Sequence, residues 1–473
     1  MTDTIWLPDL SSFDGPKYLA LTRCLREAVR VGELPEGSRL PPVRDLAWRL
    51  NMTPGTVARA YQIATQEGLL DAAVGRGTFV ASAGPKFGAS QPLMRETRAQ
   101  ARTIDGVARA VADLRATLLP DVGQGRVIAN AFAQLSRSDC ADYIGYPSQG
   151  DDAALRVLLV DWLADRILGP IDGDDIVLTH GGQNGINLAL QCCLKGARPQ
   201  VFCEELTYPG FRHAIRLNRS EVVPIELDEH GMRADMLDAA CRRYDARIVC
   251  ITTDAQNPTT VRMPAERRAE IAEVARRHDL QIIEDDCYAL SSATDPAVRA
   301  LAPERTWHVS SLSKSIAAGL RFGLIVCPTG LGEAGRLAAQ HSYFGLARPV
   351  TDLVHHLMSS GEAVRLRDRV QTVFARRLEI TLNVLGTFDL QWQKGLGFVW
   401  LAMPQGWRAS TFAREAEAAG VILRSADEFA LIESHTPNAV RIALSGVVPE
   451  AVFIRALETI ARLLRNPPGD LPV

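Results

Sequence analysis

The chain has 473 residues, 47% of them hydrophobic, and a formal net charge of −3. That length calls for two or three domains, and that apolar content sustains a large core. The near-neutral balance excludes a protein that coats nucleic acid through bulk positive charge, though not one with a local basic face. The nine cysteines are scattered, and no CxxC pair or Cys/His cluster has metal-ligand spacing, so reduced thiols in a cytoplasm and no metal are expected. The opening MTDTIWLPDL lacks a basic stretch followed by an apolar run. No window approaches the ~18 apolar residues of a membrane span, so neither a signal peptide nor a membrane partner is expected.

Residues 14–82 read as a self-contained unit. Pro16 suits the first turn of a helix. Tyr18, Leu21, Leu25 and Ala28 follow at helical spacing, and Gly32 ends the run. A short second helix, VRDLAWRL, stops at Asn51, a residue that tolerates a left-handed turn. Thr53 is a good N-cap with Pro54 behind it, and Val57, Ala60, Tyr61 and Ala64 keep helical period. Two β-like segments, GLLDAA and GTFVAS, then flank Gly75, Arg76 and Gly77. Residues 83–119 read as a linker that starts with AGPKFGAS, and its Ala- and Arg-rich stretch 92–118 predicts a helix.

From residue 120 to 465, β-like runs alternate with helical ones. The runs DIVLT (175–179), PQVFC (199–203), ARIVCIT (246–252), QIIED (281–285) and TWHVSS (306–311) are apolar enough for strands covered on both faces. The alternation predicts an α/β fold with a mostly parallel sheet. Ligands of such sheets bind beyond the carboxyl ends of the strands, so the residues just after each strand carry the functional signal.

After DIVLT comes HGGQNG, a Gly-rich turn opening a helix, which is an anion site when backbone N–H groups point at it. After PQVFC comes Tyr208, a ring able to stack on a planar ligand. After ARIVCIT comes Asn257 before Pro258, a rigid turn with an amide. After QIIE come Asp285, Asp286 and, three residues beyond Asp285, Tyr288. After TWHVS comes SLSKSIAAGLRFG, with Lys314 among Ser311, Ser313 and Ser315 and with Arg321 seven residues on. Each piece alone is common in turns and surfaces. Together they are the needs of a phosphorylated, aromatic, nitrogen-containing aldehyde: an amine, an acid for the ring nitrogen, and donors for phosphate and phenolate.

Residues 120–465 resemble a fold-type I aminotransferase, the pyridoxal-phosphate transferase fold with a large, mostly parallel sheet and a smaller C-terminal α+β domain. The motifs that carry the resemblance are G-G-Q, T-Y-P-G, N-P-T, D-D-x-Y, S-x-S-K-(x)6-R and a late arginine. Residues 14–82 resemble the winged helix-turn-helix of the GntR family, through RLPPVRDLA, TPGTVARAY, EGLL and GRGTFV. That fusion resembles the MocR subfamily of GntR-type transcription regulators. The resemblance implies pyridoxal 5'-phosphate as cofactor and Lys314 as its Schiff-base lysine. It implies Asp285 at the pyridine nitrogen, Asn257 and Tyr288 at the phenolic oxygen, and Tyr208 on the ring. Gly182, Gln183, Ser311, Ser313 and Arg321 are then expected around the phosphate, and Arg441 at an effector carboxylate. Tyr146 resembles the tyrosine that reaches a neighbouring subunit's phosphate, which implies a homodimer. Ala318-Gly319 stands where the family usually has Pro-Gly.

Residues 1–82 hold nine basic and nine acidic side chains, so DNA affinity has to come from placement rather than bulk charge. Arg44 on the second helix, Thr53, Thr56 and Arg59 on the third, and Arg76 and Gly77 on the wing are the expected contacts. The sequence therefore predicts a regulator that binds double-stranded operator DNA and senses pyridoxal phosphate or a small amino compound through an aldimine at Lys314. The alternatives are a working aminotransferase with an accessory domain and a cofactor-free dimerisation scaffold.

Overall fold

The computed structural model describes residues 6–10, 16–66, 69–73, 77–81, 101–104, 107–137, 143–148, 150–196, 199–288, 291–431, 434 and 436–467. The chain divides into two compact units, Met1–Met94 and Arg95–Val473.

The first unit runs α1 (Lys17–Arg30), α2 (Val43–Arg49), α3 (Pro54–Gln66), β1 (Leu70–Ala73) and β2 (Gly77–Val80). Helical period turns Leu21, Leu25 and Ala28 of α1 and Val57, Ala60, Tyr61 and Ala64 of α3 into one buried cluster with Leu46. The Tyr61 hydroxyl cannot be left dry, and it donates to the Pro41 carbonyl at 2.9 Å. Gly32 and Asn51 take positive φ just after α1 and α2, at 80° and 49°. Thr53 caps α3 by accepting the Thr56 N–H at 3.3 Å. β1 and β2 pair antiparallel with Asp71 opposite Phe79, and Arg39 bridges to Phe79 from the other side. Three helices with a small sheet behind them make a winged helix-turn-helix.

The second unit opens with a correction. The helix expected over 92–118 is absent from its described part. There the chain forms β3 (Ala101–Ile104) and β4 (Val107–Ala110), antiparallel with Ile104 opposite Val107, and then β5 (Ala112–Asp113). Helix propensity is a weak preference that pairing overrides. Thr103, Ile104 and Val107 are β-branched, and Asp105-Gly106 between them is a hairpin signal. β5 then pairs parallel with Val421–Ile422, far along the chain, which no local pattern encodes.

The central sheet takes β6 (Ile176–Thr179), β7 (Gln200–Glu204) and β8 (Glu221–Ile225). After the short hairpin β9 (Leu227–Asp228) and β10 (Gly231–Met232) it continues with β11 (Ala246–Ile251), β12 (Gln281–Asp285), β13 (Thr306–Ser311) and β14 (Gly323–Val326). Its order is β6-β14-β13-β12-β11-β7-β8, parallel throughout except for β14. Helices cover both faces, so the five strands expected from apolar runs are almost wholly buried. A smaller antiparallel sheet follows: β15 (Leu390–Gln391), β16 (Phe398–Ala402), β18 (Arg424–Ser425) and β19 (Ala439–Ala443), with β17 (Val421–Ile422) reserved for β5. Helices Glu362–Leu385 and Glu450–Arg465 share its core.

The segment after β5 stitches these parts together. The Leu114 N–H donates to the Ile422 carbonyl, and the Leu114 carbonyl accepts from Ala443, both at 2.9 Å. The Thr117 hydroxyl donates to the Gly397 carbonyl at 2.9 Å. Among the described residues no helix is long and apolar enough to cross a membrane.

Phe202 in the middle of β7 is fully buried and meets Tyr244 edge-on at 6.5 Å. Phe202→Ala is expected to cost about 3–5 kcal/mol through lost burial and an unfilled cavity. Urea unfolding of the full-length protein, followed by far-ultraviolet circular dichroism, measures it.

Candidate functional site

The parallel strands end in acids. Glu204, Glu284, Asp285, Asp286 and Asp254 are all buried near the carboxyl edge of the sheet. Burying a carboxylate is costly unless it is paired, and most of these are. Arg166 bonds Asp286 through Nε at 2.8 Å and also reaches Asp254. Arg268 bonds the other oxygen of Asp254 at 2.6 Å. His308 lies between Glu284, 3.1 Å from Nδ1, and Asp286, 3.5 Å from Nε2. Glu284 also accepts from Thr253 and from the N–H groups of Val298 and Arg299. Desolvation opposes both charges, yet the mutual contacts win: His308 is raised to about 9 and Glu284 lowered to about 2. Burial pushes the Glu204 carboxyl up to about 8, so it carries a proton at neutral pH.

Asp285, like Glu204, has no cationic partner among the described residues. It ends β12, is 6% exposed, and accepts the Cys287 N–H at 3.0 Å. No lysine, arginine or histidine lies within ion-pair distance of it among the described residues. Burial raises its pKa, and the neighbouring Asp286 adds to that.

Beside Asp285 two glycines let the backbone approach neighbouring side chains closely. Gly181 follows β6 with φ +83°, and a Cβ there would lie 2.6 Å from the Arg321 guanidinium. A Cβ on Gly182 would lie 2.2 Å from the Cys287 sulfur. Only glycine fits either place, and Gly182 opens the helix Gly182–Cys193 with its N-terminus at the site. Arg321 itself sits in a left-handed turn at φ 49° and donates to the His180 carbonyl at 3.2 Å. The Ser311 hydroxyl donates to Ser313 at 3.0 Å and accepts the Ser313 N–H. Gln183 donates to the Gly210 carbonyl at 3.0 Å, while its own amide oxygen is buried without a partner. Tyr208 begins the helix Pro209–Leu217 and packs edge-on against Phe211 at 6.4 Å; burial raises its pKa.

The smaller sheet closes the site from the other side. The Lys314 ammonium donates to the Thr117 carbonyl at 2.8 Å and stands 5.2 Å from the centre of the Tyr288 ring. Tyr288 packs edge-on to Phe398 at 5.4 Å. Burial resists its ionisation, but Lys314, Arg441 and Arg424 together hold its phenol below the usual value. Arg441 on β19 is 3% exposed, bonds the Asn257 side-chain oxygen at 2.5 Å and the Arg115 carbonyl at 2.6 Å. Burial brings its pKa down to about 10. Its Nε and the Asn257 amide nitrogen are buried without hydrogen-bond partners. Thus Gly182, Gln183, Tyr208, Asn257, Asp285, Tyr288, Ser311, Ser313, Lys314, Arg321 and Arg441 all gather at one end of the sheet. Tyr146 does not join them within the chain: it is 83% exposed and stacks on Phe344 at 5.3 Å. The residues that sequence reasoning passed over are Arg166, Arg268, Asp254, His308, Thr117 and Arg424. His308 left a trace, a titratable group inside an apolar strand; the others left none.

In the first unit Arg44 is exposed at the start of α2, and Thr53 is exposed at the start of α3. Thr53 and Thr56 hydroxyls bond each other at 2.9 Å. Arg59 is half-buried with its guanidinium 4.1 Å above the Tyr18 ring, so packing already orients it. Arg76 lies outside the described residues. Gly77 begins β2 at φ +110°, with the Arg39 side chain against it. Trp48, 84% exposed on α2, belongs to this surface too.

Comparison with known proteins agrees with this two-part architecture. Residues 118–460 match the model for aminotransferase class I and II, and residues 17–80 match bacterial regulatory proteins of the gntR family. The chain belongs to the class I and II aminotransferase family and carries a GntR helix-turn-helix ahead of that domain, as the MocR-type regulators do. It is 27% identical to the uncharacterized HTH-type transcriptional regulator YdeF of Bacillus subtilis, over 97% of this chain and 96% of that one. It is 23% identical to the probable rhizopine catabolism regulatory protein MocR of Rhizobium meliloti, over 78% and 76% respectively. An archaeal alanine:glyoxylate aminotransferase shares the fold, with a TM-score of 0.67 over 76% of this chain and 92% of its own at 21% identity.

The His308 contacts give a pH signature. Its folded pKa of about 9 exceeds the ordinary 6.5, so its stabilisation is complete below 6.5 and disappears as pH rises through about 9. The stability gap between the native protein and His308→Gln is therefore expected to be widest below 6.5 and to narrow on the alkaline side. Urea midpoints across that range measure it, and a gap that grows with pH contradicts the assignment.

Proposed function

We propose that this protein is a pyridoxal-phosphate-dependent, DNA-binding transcription regulator. The class I and II domain holds the cofactor and reads an amino compound, and the winged helix binds operator DNA. The observation that carries the reading is the charge state of the strand ends. Asp254, Asp286 and Glu284 each have a cationic partner, while Asp285 is buried beside them without one among the described residues; Glu204, also without one, is instead pushed by burial towards its protonated form. A buried acid so placed fits a ligand that brings its own positive charge, as a protonated pyridine nitrogen does.

The remaining residues fit the same group. Gly182, Gln183, Ser311, Ser313 and Arg321 offer backbone and side-chain donors to its phosphate, and Tyr208 offers a ring face. Asn257, with its unpartnered amide N–H, and Tyr288 would hold its phenolic oxygen. When bound, the cofactor supplies an aldehyde that condenses with amines. Lys314 presents the primary amine next to Tyr288, whose acidity is raised by three surrounding cations, so the phenol can hold or release a proton at its oxygen. Arg441, buried and without a carboxylate in ion-pair distance among the described residues, would take the carboxylate of an amino-acid-like effector.

Regulation requires that the effector bind two arrangements of the protein differently. A homodimer supplies such arrangements. The exposed apolar side chains Ile144, Tyr146 and Phe344 suit a second copy, through which Tyr146 would reach the partner's phosphate site. Paired winged helices then read paired half-sites, with Arg44, Thr53, Thr56, Arg59, Arg76 and Gly77 as the contacting set.

The intact site also suits a working aminotransferase, and one pair of measurements separates the two. Added pyridoxal phosphate is expected to give visible absorbance that Lys314→Ala abolishes, and to change the retardation of the protein's upstream intergenic DNA. Rapid keto-acid formation from amino donors, without any response of DNA retention, contradicts the regulator. In the same band-shift assay Arg44→Ala is expected to weaken binding by about tenfold and to lower the salt dependence by about one ion. Unchanged retention by that variant removes Arg44 from the interface.

A further inference from the structure

The Arg441 strand hides a second cation. β18 and β19 run antiparallel with Arg424 directly opposite Arg441. Opposed residues lie on one face of a sheet with Cβ atoms about 5 Å apart, and like charges there are destabilising. Both guanidinium groups lie by the Phe429 ring, at 4.7 Å for Arg441 and 5.9 Å for Arg424. Arg441 also stands 5.1 Å from the Phe398 ring, on which Tyr288 packs edge-on, so the pair borders the candidate site.

Compensation within the protein is thin. Glu428 forms an ion pair with the Arg424 Nε at 3.7 Å, too long for a hydrogen bond, and Arg441 has no carboxylate in ion-pair distance among the described residues. Arg115, whose carbonyl Arg441 binds, is already paired with Asp113 at 2.6 Å. The Nε atoms of Arg424 and Arg441 are both buried without hydrogen-bond partners. Two opposed arginines with orphaned donors are a local arrangement that folding disfavours, and such violations concentrate where a ligand completes them.

One carboxylate occupies one guanidinium fork. Two adjacent forks call for two anionic groups joined by a short chain. We propose that Arg424 is a second anion-binding, specificity-determining arginine, and that the effector is a dicarboxylic amino compound. Its α-carboxylate sits on Arg441 and its side-chain carboxylate on Arg424, with the amine directed to the Lys314 end of the site. This rests on the reading of the domain as an effector site and names the effector's class.

The test uses the full-length protein, with and without pyridoxal phosphate, and two simple acids. Glutarate carries both carboxylates and valerate only one. Calorimetric titration is expected to show glutarate binding about tenfold more tightly or better, the contribution of one further charge-assisted pair. Arg424→Gln is expected to remove that preference while changing valerate affinity by less than about twofold, and Arg424→Lys to keep part of it. Equal affinities in the native protein, binding of neither acid, or loss of valerate binding in Arg424→Gln overturns the proposal. Arg424→Lys guards against misfolding, because a variant that retains charge and stability yet shows no preference counts against it. Glutarate binding that leaves DNA retention unchanged speaks against the regulatory reading and leaves the arginine pair standing.

Discussion

The buried ionic chain at the carboxyl edge of the sheet is the constraint on which the site depends. Parallel strands covered by helices leave their ends dry, and a dry carboxylate destabilises the fold unless a cation meets it. Arg166 and Arg268 meet Asp254, Arg166 and His308 meet Asp286, and His308 meets Glu284. Only because those five contacts neutralise the background does the uncompensated Asp285 stand out. Asp254 and Asp286 each have two cations, while Glu284 has His308 alone and would be left charged and buried without it.

A second constraint ties the two sheets of the larger unit. The Lys314 ammonium hangs on the carbonyl of Thr117, and the Thr117 hydroxyl holds Gly397 beside β16. The Arg441 guanidinium holds Asn257 across the same boundary. The large sheet thus contributes acid, amine and glycine turn, and the small sheet contributes arginines. A shift of one sheet against the other alters how far Lys314 stands from Arg441, which is the kind of two-arrangement element that a ligand can bias.

Much of this was legible in order along the chain. Five apolar runs became five strands at their expected places, and the residues that follow them, from Gly182 to Arg321, lie near one end of the sheet. Glycine turns, an Asn-Pro step and S-x-S-K are local demands, so local sequence records them. The stretch 92–118 shows the opposite case. Its alanines and arginines favour a helix, but β5 gains more by pairing with Val421–Ile422 some 300 residues away. Arg424 was illegible for the same reason, since an arginine in VILRS is unremarkable until β18 sets it against Arg441.

The sequence by itself determined the two-part architecture, the strand succession and which chemical groups follow the strand ends. These are set by short-range periodicity, backbone permissiveness and residue chemistry, all of which lie within a few neighbouring positions. Tertiary structure alone decided which acids are neutralised, that Asp285 is not, that Arg59 is already occupied by Tyr18, and that two arginines share one face. Those outcomes depend on distances between residues far apart in the chain, and an electrostatic balance exists only once the chain has closed around it.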